Sequence, residues 1–179
     1  MPNAVVLLKG VNVGGRQMLS MKEAKRWMVD VGYKGVSSYL NSGNILFELS
    51  SEPNLEEKRL QDLFKEKSGI LLTLYVLTKD EVERIVNESP FDEVSEPDNT
   101  KRVIHYFSYS VGDETVWEVY KDLDGDIDYY LKGRLIYAYY KKGVGRSKVR
   151  SEKLKKLMKR DNTARNWNTV ISLCNLLIP

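Results

Sequence analysis

The chain opens on Ala4-Val5-Val6-Leu7-Leu8, an apolar run too continuous for a strand with one wet face, and so predicts a strand buried on both sides. A glycine-rich stretch, Gly10 to Arg16, follows it. Ser20-Met21-Lys22-Glu23 has capping-box spacing and starts a helix with Met21, Ala24, Trp27, Met28 and Val31 on one face and Gly32 at its end. Val36–Asn41 and Ile45–Leu49 read as strands joined by Ser42-Gly43-Asn44, residues that tolerate a tight turn. Pro53 opens a second helix with Leu60, Leu63 and Phe64 inside, and Leu71–Leu77 reads as a fourth strand. This β-α-β-β-α-β order is that of a ferredoxin-like unit.

Thr78-Lys79-Asp80-Glu81 is a second capping box, ahead of Val82, Ile85 and Val86 at helical spacing. Ser89 to Thr100 is acidic, holds two prolines and has no period, which predicts a linker. Arg102–Tyr109 reads as a strand, and Val116, Val119, Tyr120 and Leu123 as a helical face. Asp128–Leu131 and Arg134–Tyr140 form a hairpin about Lys132-Gly133. Two helices close the chain, the last carrying Trp167, Val170, Ile171, Cys174, Leu177 and Ile178. The second half is thus β-α-β-β-α-α. The expected fold class is α+β, with two ferredoxin-like subdomains built on antiparallel sheets. They span 1–78 and 101–179, joined by a helix and acidic linker over 79–100; the second carries basic C-terminal helices. A single continuous sheet is the alternative.

A chain of 179 residues buries about 70% of the surface it exposes when unfolded, so its core needs no metal or disulfide. No run of about 18 apolar residues is present, which excludes a membrane-spanning helix. The first residues lack a charged leader and a small-residue cleavage site, so a cytoplasmic location is expected. One cysteine and one histidine leave no disulfide framework and no Cys- or His-rich metal site. No cofactor, metal or membrane is expected, and a monomer is favoured.

The net charge of +3 hides an asymmetry. Lys141–Val170 holds eleven Lys or Arg against Glu152 and Asp161, while Asp80–Asp98 holds eight acids against Arg84. A basic segment suits an anionic partner, nucleic acid included. Lys153, Lys155, Lys156, Lys159 and Arg160 also surround Leu154, Leu157 and Met158 as the wet face of a helix would, which leaves Lys148 and Arg150 unexplained.

Some candidate chemistry dissolves on inspection. Asp122 to Asp128 resembles a calcium loop, but Ile127 stands where the glycine belongs and Gly133 where the glutamate belongs, so it reads as a turn. Tyr137 and Tyr139 share a strand face that could stack bases, yet Arg134 to Tyr140 lacks the RNA-recognition pattern and fits ordinary sheet packing. His105, mid-strand among apolar neighbours, reads as a satisfied structural histidine, and Cys174 as a small hydrophobe.

Four polar motifs remain. Gly10-Val11-Asn12-Val13-Gly14-Gly15-Arg16 joins the first strand to the first helix, where free backbone N–H groups and a helix N-terminus suit an anion. It is neither a P-loop nor a dinucleotide fingerprint. Asn41-Ser42-Gly43-Asn44 turns the hairpin. Gly143-Val144-Gly145-Arg146-Ser147-Lys148 pairs flexible backbone with two cations and a hydroxyl, and Thr163 to Thr169 loads the start of the last helix with amides and an arginine.

These motifs also carry a resemblance. Leu7-Leu8-Lys9-Gly10-Val11-Asn12-Val13-Gly14-Gly15, Tyr39-Leu40-Asn41-Ser42-Gly43-Asn44, Gly145-Arg146-Ser147-Lys148 and Arg165-Asn166-Trp167-Asn168-Thr169 resemble, in order and spacing, the bacterial domain-of-unknown-function 1697 family. Lys9 stands where that family commonly has Arg, and Asn41 where it commonly has Gln; Lys lacks the arginine fork. The resemblance implies a ferredoxin-like architecture and no particular activity.

The motifs hold donors for phosphate or carboxylate and no carboxylate, histidine or thiol, which favours binding over proton transfer. The expected function is binding of a phosphorylated or other anionic small molecule, such as a nucleotide, in a cleft between subdomains. Lys9, Asn12, Gly14, Gly15, Arg16, Ser42, Asn44, Arg146, Ser147, Lys148, Arg165, Asn166 and Asn168 are the candidate contacts. Nucleic-acid binding through 141–170 and an enzyme acting on a phosphorylated substrate are alternatives; so is a purely structural role in turns and caps.

Overall fold

Ala4–Leu8 forms the central strand β1, buried at every position. The computed structural model describes residues 1–13, 17–93, 98–107, 118–121, 126–146 and 161–177. Strand β1 pairs antiparallel with β3 (Asn44–Phe47) on one side and β4 (Leu74–Thr78) on the other, and β3 carries the short β2 (Ser37–Ser38) at the edge. The order is therefore β2-β3-β1-β4, with Val6 opposite both Ile45 and Val76. Helices α1 (Met21–Asp30) and α2 (Pro53–Ser68) bury Met21, Ala24, Met28, Leu60, Leu63 and Phe64 against Ala4, Val6 and Leu8. Each of the methionine, leucine and phenylalanine side chains contributes about 1.5–3 kcal/mol relative to leaving it in water.

The predicted caps form. Ser20 Oγ accepts from Glu23 N at 3.3 Å. Thr78 and Glu81 satisfy each other reciprocally, at 2.8 and 3.2 Å, at the start of α3 (Lys79–Asn87).

The second sheet has five antiparallel strands: β5 (Arg102–Phe107), β6 (Glu118–Lys121), β7 (Ile127–Lys132), β8 (Leu135–Tyr140) and β9 (Asn162–Asn166), ordered β6-β7-β8-β5-β9. Four of these, β7-β8-β5-β9, repeat the ferredoxin-like order of the first sheet, with β6 added at the edge. As α3 follows β4, so α4 (Trp167–Leu177) follows β9. The fold is α+β with two ferredoxin-like subdomains and two separate sheets. The chain divides into two compact units, Met1–Glu83 with the end of α4 from Leu173, and Arg84–Ser172.

Two local expectations are overturned. Val119 and Tyr120 belong to strand β6, not a helix, because they pair with Tyr130 and Tyr129 of β7. β-Branched and aromatic residues suit that environment. Val116 and Leu123 lie outside the described residues. Thr163–Asn166, expected at a helix start, is strand β9: Thr163 lies opposite Tyr106 and Arg165 opposite Ile104, and the helix begins only at Trp167. The basic helix expected across Lys153–Arg160 lies outside the described residues.

Pro90 and Phe91, in the stretch whose composition suggests a linker, are buried. The Phe91 ring stands edge-on to Tyr137 at 5.6 Å and to Trp167 at 5.2 Å, with the Arg102 guanidinium 5.2 Å from its centre. The other face of the sheet packs Val103, Ile127, Tyr129, Leu131, Ile136, Ala138 and Tyr140 together. Tyr137 and Tyr139 are buried, and the Tyr137 hydroxyl donates to Ile85 O at 3.0 Å. They serve sheet packing, as the pattern suggests.

Candidate functional site

In the first unit, two of the polar motifs meet. Lys9, half-buried, follows β1 and donates its backbone N–H to Thr73 O at 2.9 Å. Beyond it Gly10 (φ 65°), Asn12 (φ 54°) and Gln17 (φ 45°) take the left-handed conformation. Asparagine tolerates that region because its short amide bonds locally, and Asn12 uses its whole carboxamide. Oδ1 accepts from Leu19 N at 2.9 Å, while Nδ2 donates to Leu19 O and to Asn41 O, both at 2.7 Å. The last bond ties the loop to the hairpin turn.

Gly43 makes that approach sterically feasible. At φ 80°, a Cβ there would sit 2.5 Å from Val11 Cγ2 and 2.7 Å from Leu8 Cβ. Asn44, fully buried, donates to Tyr39 O at 2.9 Å and to Ser42 Oγ at 3.2 Å. Lys9, Asn12, Ser42 and Asn44 are thus gathered at the end of the first sheet that precedes α1. The two asparagine amides shape the backbone. Gly14, Gly15 and Arg16 lie outside the described residues.

In the second unit the other two motifs share one sheet end. Strands β8 and β9 both terminate beside the start of β5, with Tyr139 opposite Arg102 and Asn166 opposite Val103. The turn Val144–Arg146 after β8 and the Asn166–Asn168 junction into α4 follow from those ends, and Arg146, Asn166 and Asn168 are exposed. Arg165 points elsewhere: it is buried, with Nη1 bonded to Thr163 Oγ1 at 2.9 Å and to Ala164 O at 2.8 Å. Burial pulls its guanidinium down to about 10, the nearby Tyr106 opposing, so it stays cationic at neutral pH. Ser147 and Lys148 lie outside the described residues.

The basic segment is partly neutralised within the described residues. Lys141 pairs with Asp128 at 3.0 Å and Lys142 with Asp126 at 2.7 Å, so the two described acids at the C-terminal end of the acidic turn each pair with a lysine. Among the described residues no cluster of three or more His, Cys, Asp or Glu could hold a metal, and no helix is long and apolar enough to cross a membrane.

The family profile described as "Protein of unknown function (DUF1697)" matches residues 1–137. The chain belongs to the DUF1697 family. The DUF1697 match contains the β1–α1 loop and the hairpin turn and ends before Gly143. No curated protein matches the chain. A conserved bacterial protein from Streptococcus pneumoniae has a similar structure, with a TM-score of 0.67 over 98% of each chain at 18% identity. At that identity the likeness carries the fold alone.

Sequence reasoning missed one cluster in this DUF1697 chain. Glu56 in α2 is 2% exposed, and accepts from the Tyr33 hydroxyl at 2.5 Å, from Arg59 Nη1 at 2.9 Å and from Ser51 Oγ. Burial works to raise its pKa, but those three donors outweigh it and hold the carboxyl below the usual range. Tyr33 is driven well above its ordinary value by burial first, then by Glu56. Tyr33 and Glu56 stand 23 positions apart, and no motif links them. His105 is fully enclosed, its Nδ1 3.1 Å from Asn162 Oδ1 and its Nε2 3.5 Å from the Tyr140 hydroxyl. Burial drives it down to about 4 against the Asn162 hydrogen bond, so it is neutral at pH 7. Cys174 is buried too, and burial pushes its thiol up.

Proposed function

We propose that this protein binds a phosphorylated or otherwise anionic small molecule, with the junction of the β1–α1 loop and the β2–β3 turn as the primary contact. The observation that carries the reading is the Asn12 carboxamide, which ties Leu19 and Asn41 together in front of α1. The tie fixes the two ends of the loop ahead of a helix N-terminus, where unsatisfied donors and the helix dipole favour negative charge. Lys9 and Arg16 supply charge; Asn12, Ser42 and Asn44 position the backbone. Within the second unit, taken by itself, Arg146, Asn166 and Asn168 are exposed donors of the same kind, with Ser147 and Lys148 following Arg146 in sequence. Of the groups shifted by burial, Tyr33 and His105 lie outside these motifs, and Arg165, within one, stays cationic at neutral pH, which weighs for binding over catalysis.

The test is a thermal-shift series with inorganic phosphate, sugar phosphates, nucleoside monophosphates and short oligonucleotides at low and moderate salt. A compound at about 100 times its Kd adds roughly 2.7 kcal/mol of stability. A salt-resistant shift with a phosphorylated compound, lost in Arg16→Ala, supports the proposal. A shift with any oligonucleotide that collapses with salt replaces it with nucleic-acid binding through 141–170. No shift with any of these refutes it.

A further inference from the structure

Away from that loop, the α2 face and the segments Val31–Lys34 and Glu48–Ser50 line an open cavity of about 1010 Å³, the size of small-molecule sites. Arg59 and Asp62 both line it, three residues apart on α2, the spacing at which opposite charges on a helix ordinarily pair. They do not pair. Arg59 Nη1 is turned to Glu56 Oε1 at 2.9 Å and to Ser51 Oγ at 3.4 Å. Glu56 can do this because it is buried and fixed by Tyr33 and Ser51.

The consequence is a guanidinium aimed by a carboxylate beneath it, with Nε and Nη2 making no hydrogen bond among the described residues. The Asp62 carboxylate one turn along is left without an ion pair there. The other acids of the wall are occupied: Glu48 holds the amino group of Met1 at 2.6 Å, and Glu66 holds Lys67 at 2.9 Å. Apolar surface adjoins, from Tyr33, Leu63 and Val31, the last 54% exposed.

We propose that this cavity binds a small zwitterion of the amino-acid type. Its carboxylate meets Arg59, its ammonium meets Asp62, and an apolar side chain lies against Val31, Tyr33 and Leu63. A guanidinium fork matches a carboxylate, and side chains at this helix spacing stand about 5–6 Å apart at Cβ. A molecule carrying both charges on neighbouring atoms fits between them. Neither charge alone would satisfy the wall, because a plain acid leaves Asp62 facing it and a plain amine leaves Arg59.

The experiment titrates the full chain with L-leucine, with isocaproate (leucine without its amine) and with isoamylamine (leucine without its carboxylate), by calorimetry and amide NMR. Leucine is expected to bind saturably at about millimolar Kd, with shifts centred on residues 56–63 and each half-molecule weaker by about tenfold. Asp62→Asn removes no protein contact, so it is expected to lose about tenfold in leucine affinity with an unchanged melting temperature. Arg59→Lys keeps the charge without the fork and should fall in between. The inference is overturned by the absence of a saturable leucine response at about 10 mM, by isocaproate binding as tightly as leucine, or by Asp62→Asn binding leucine like the wild type.

Discussion

Replacing Asn12 separates two physical roles that the native residue combines. Its carboxamide makes three hydrogen bonds to backbone, and its backbone sits at φ 54°. At about 1 kcal/mol net for each bond the loss is about 3 kcal/mol, of which Asn12→Gly should regain about 1 kcal/mol because it removes a Cβ from the left-handed region, for a net cost of about 2 kcal/mol. Asn12→Ala loses the same bonds with no such relief, its Cβ standing where the native one does, for a total of about 3 kcal/mol. At about 2–4 °C for each kcal/mol in a chain of this size, alanine should lower the melting temperature by about 6–12 °C. Asn12→Asp should be at least as damaging as alanine. It keeps the acceptor for Leu19 N but sets a carboxylate against Leu19 O and Asn41 O, where Nδ2 now donates at 2.7 Å. Hydrogen exchange localises the effect: the Leu19 amide should lose protection in the glycine and alanine variants before the Val6 amide in β1 does. An order with aspartate the mildest would refute the assigned carboxamide orientation, and a loss below about 1 kcal/mol in Asn12→Ala would refute the tie itself.

The buried groups give further expectations. His105 has a folded pKa of about 4, below its ordinary value of about 6.5, so the unfolded chain binds the proton first. Stability should therefore fall by about 3 kcal/mol as pH drops from about 6.5 to 4. The single histidine resonance should show no titration above pH of about 5, and a midpoint near 6.5 would contradict its burial. Glu56 is the opposite case: its folded pKa is depressed, so its contribution is whole above the ordinary carboxylate range and drains away as pH falls through it. Glu56→Gln should cost about 2 kcal/mol at neutral pH and flatten the acid limb of the stability curve measured by urea unfolding. Gly43→Ala, with its Cβ forced against Leu8 and Val11, should cost about 2–5 kcal/mol, while Gly145→Ala, with open space at its Cβ, should stay within about 0.5 kcal/mol.

The first unit was legible because its signals are local: the run Ala4–Leu8, the two capping boxes and the Ser42-Gly43-Asn44 turn each declare their structure within a few residues. The second unit was legible only in part: β5, the β7–β8 hairpin and the last helix fall where the pattern puts them, and the rest was hidden where pairing overrode periodicity. Val119 and Tyr120 fall at helical spacing, but their partners in β7 make them strand. Asn162-Thr163-Ala164-Arg165-Asn166 has no apolar alternation and is full of capping residues. Its burial comes from lying beside β5, which hydropathy cannot register. The polar motifs were visible one at a time, but their sorting into two pairs depends on strand order. That Arg165 turns inward to Thr163 while Arg146 is exposed follows from tertiary position alone. The Tyr33–Glu56–Arg59 cluster left no trace because distant tyrosine, serine and arginine carry no mutual spacing rule.

The central place of β1 sets a timetable for synthesis. Its residues pair on one side with β3, Val6 against Ile45, and on the other with β4, Val6 against Val76. At about 5–20 residues per second, the ribosome delivers the second partner roughly 4–14 s after the first strand has been made. Through that interval Ala4-Val5-Val6-Leu7-Leu8 is an uncharged, β-prone, apolar segment with an unpaired edge, the composition that seeds intermolecular strand pairing. The strand that anchors the finished sheet is therefore a hazard to the nascent chain. Slowing elongation between codons 47 and 74, after β3 and before β4, should send more of the protein into inclusion bodies without altering the stability of the molecules that escape.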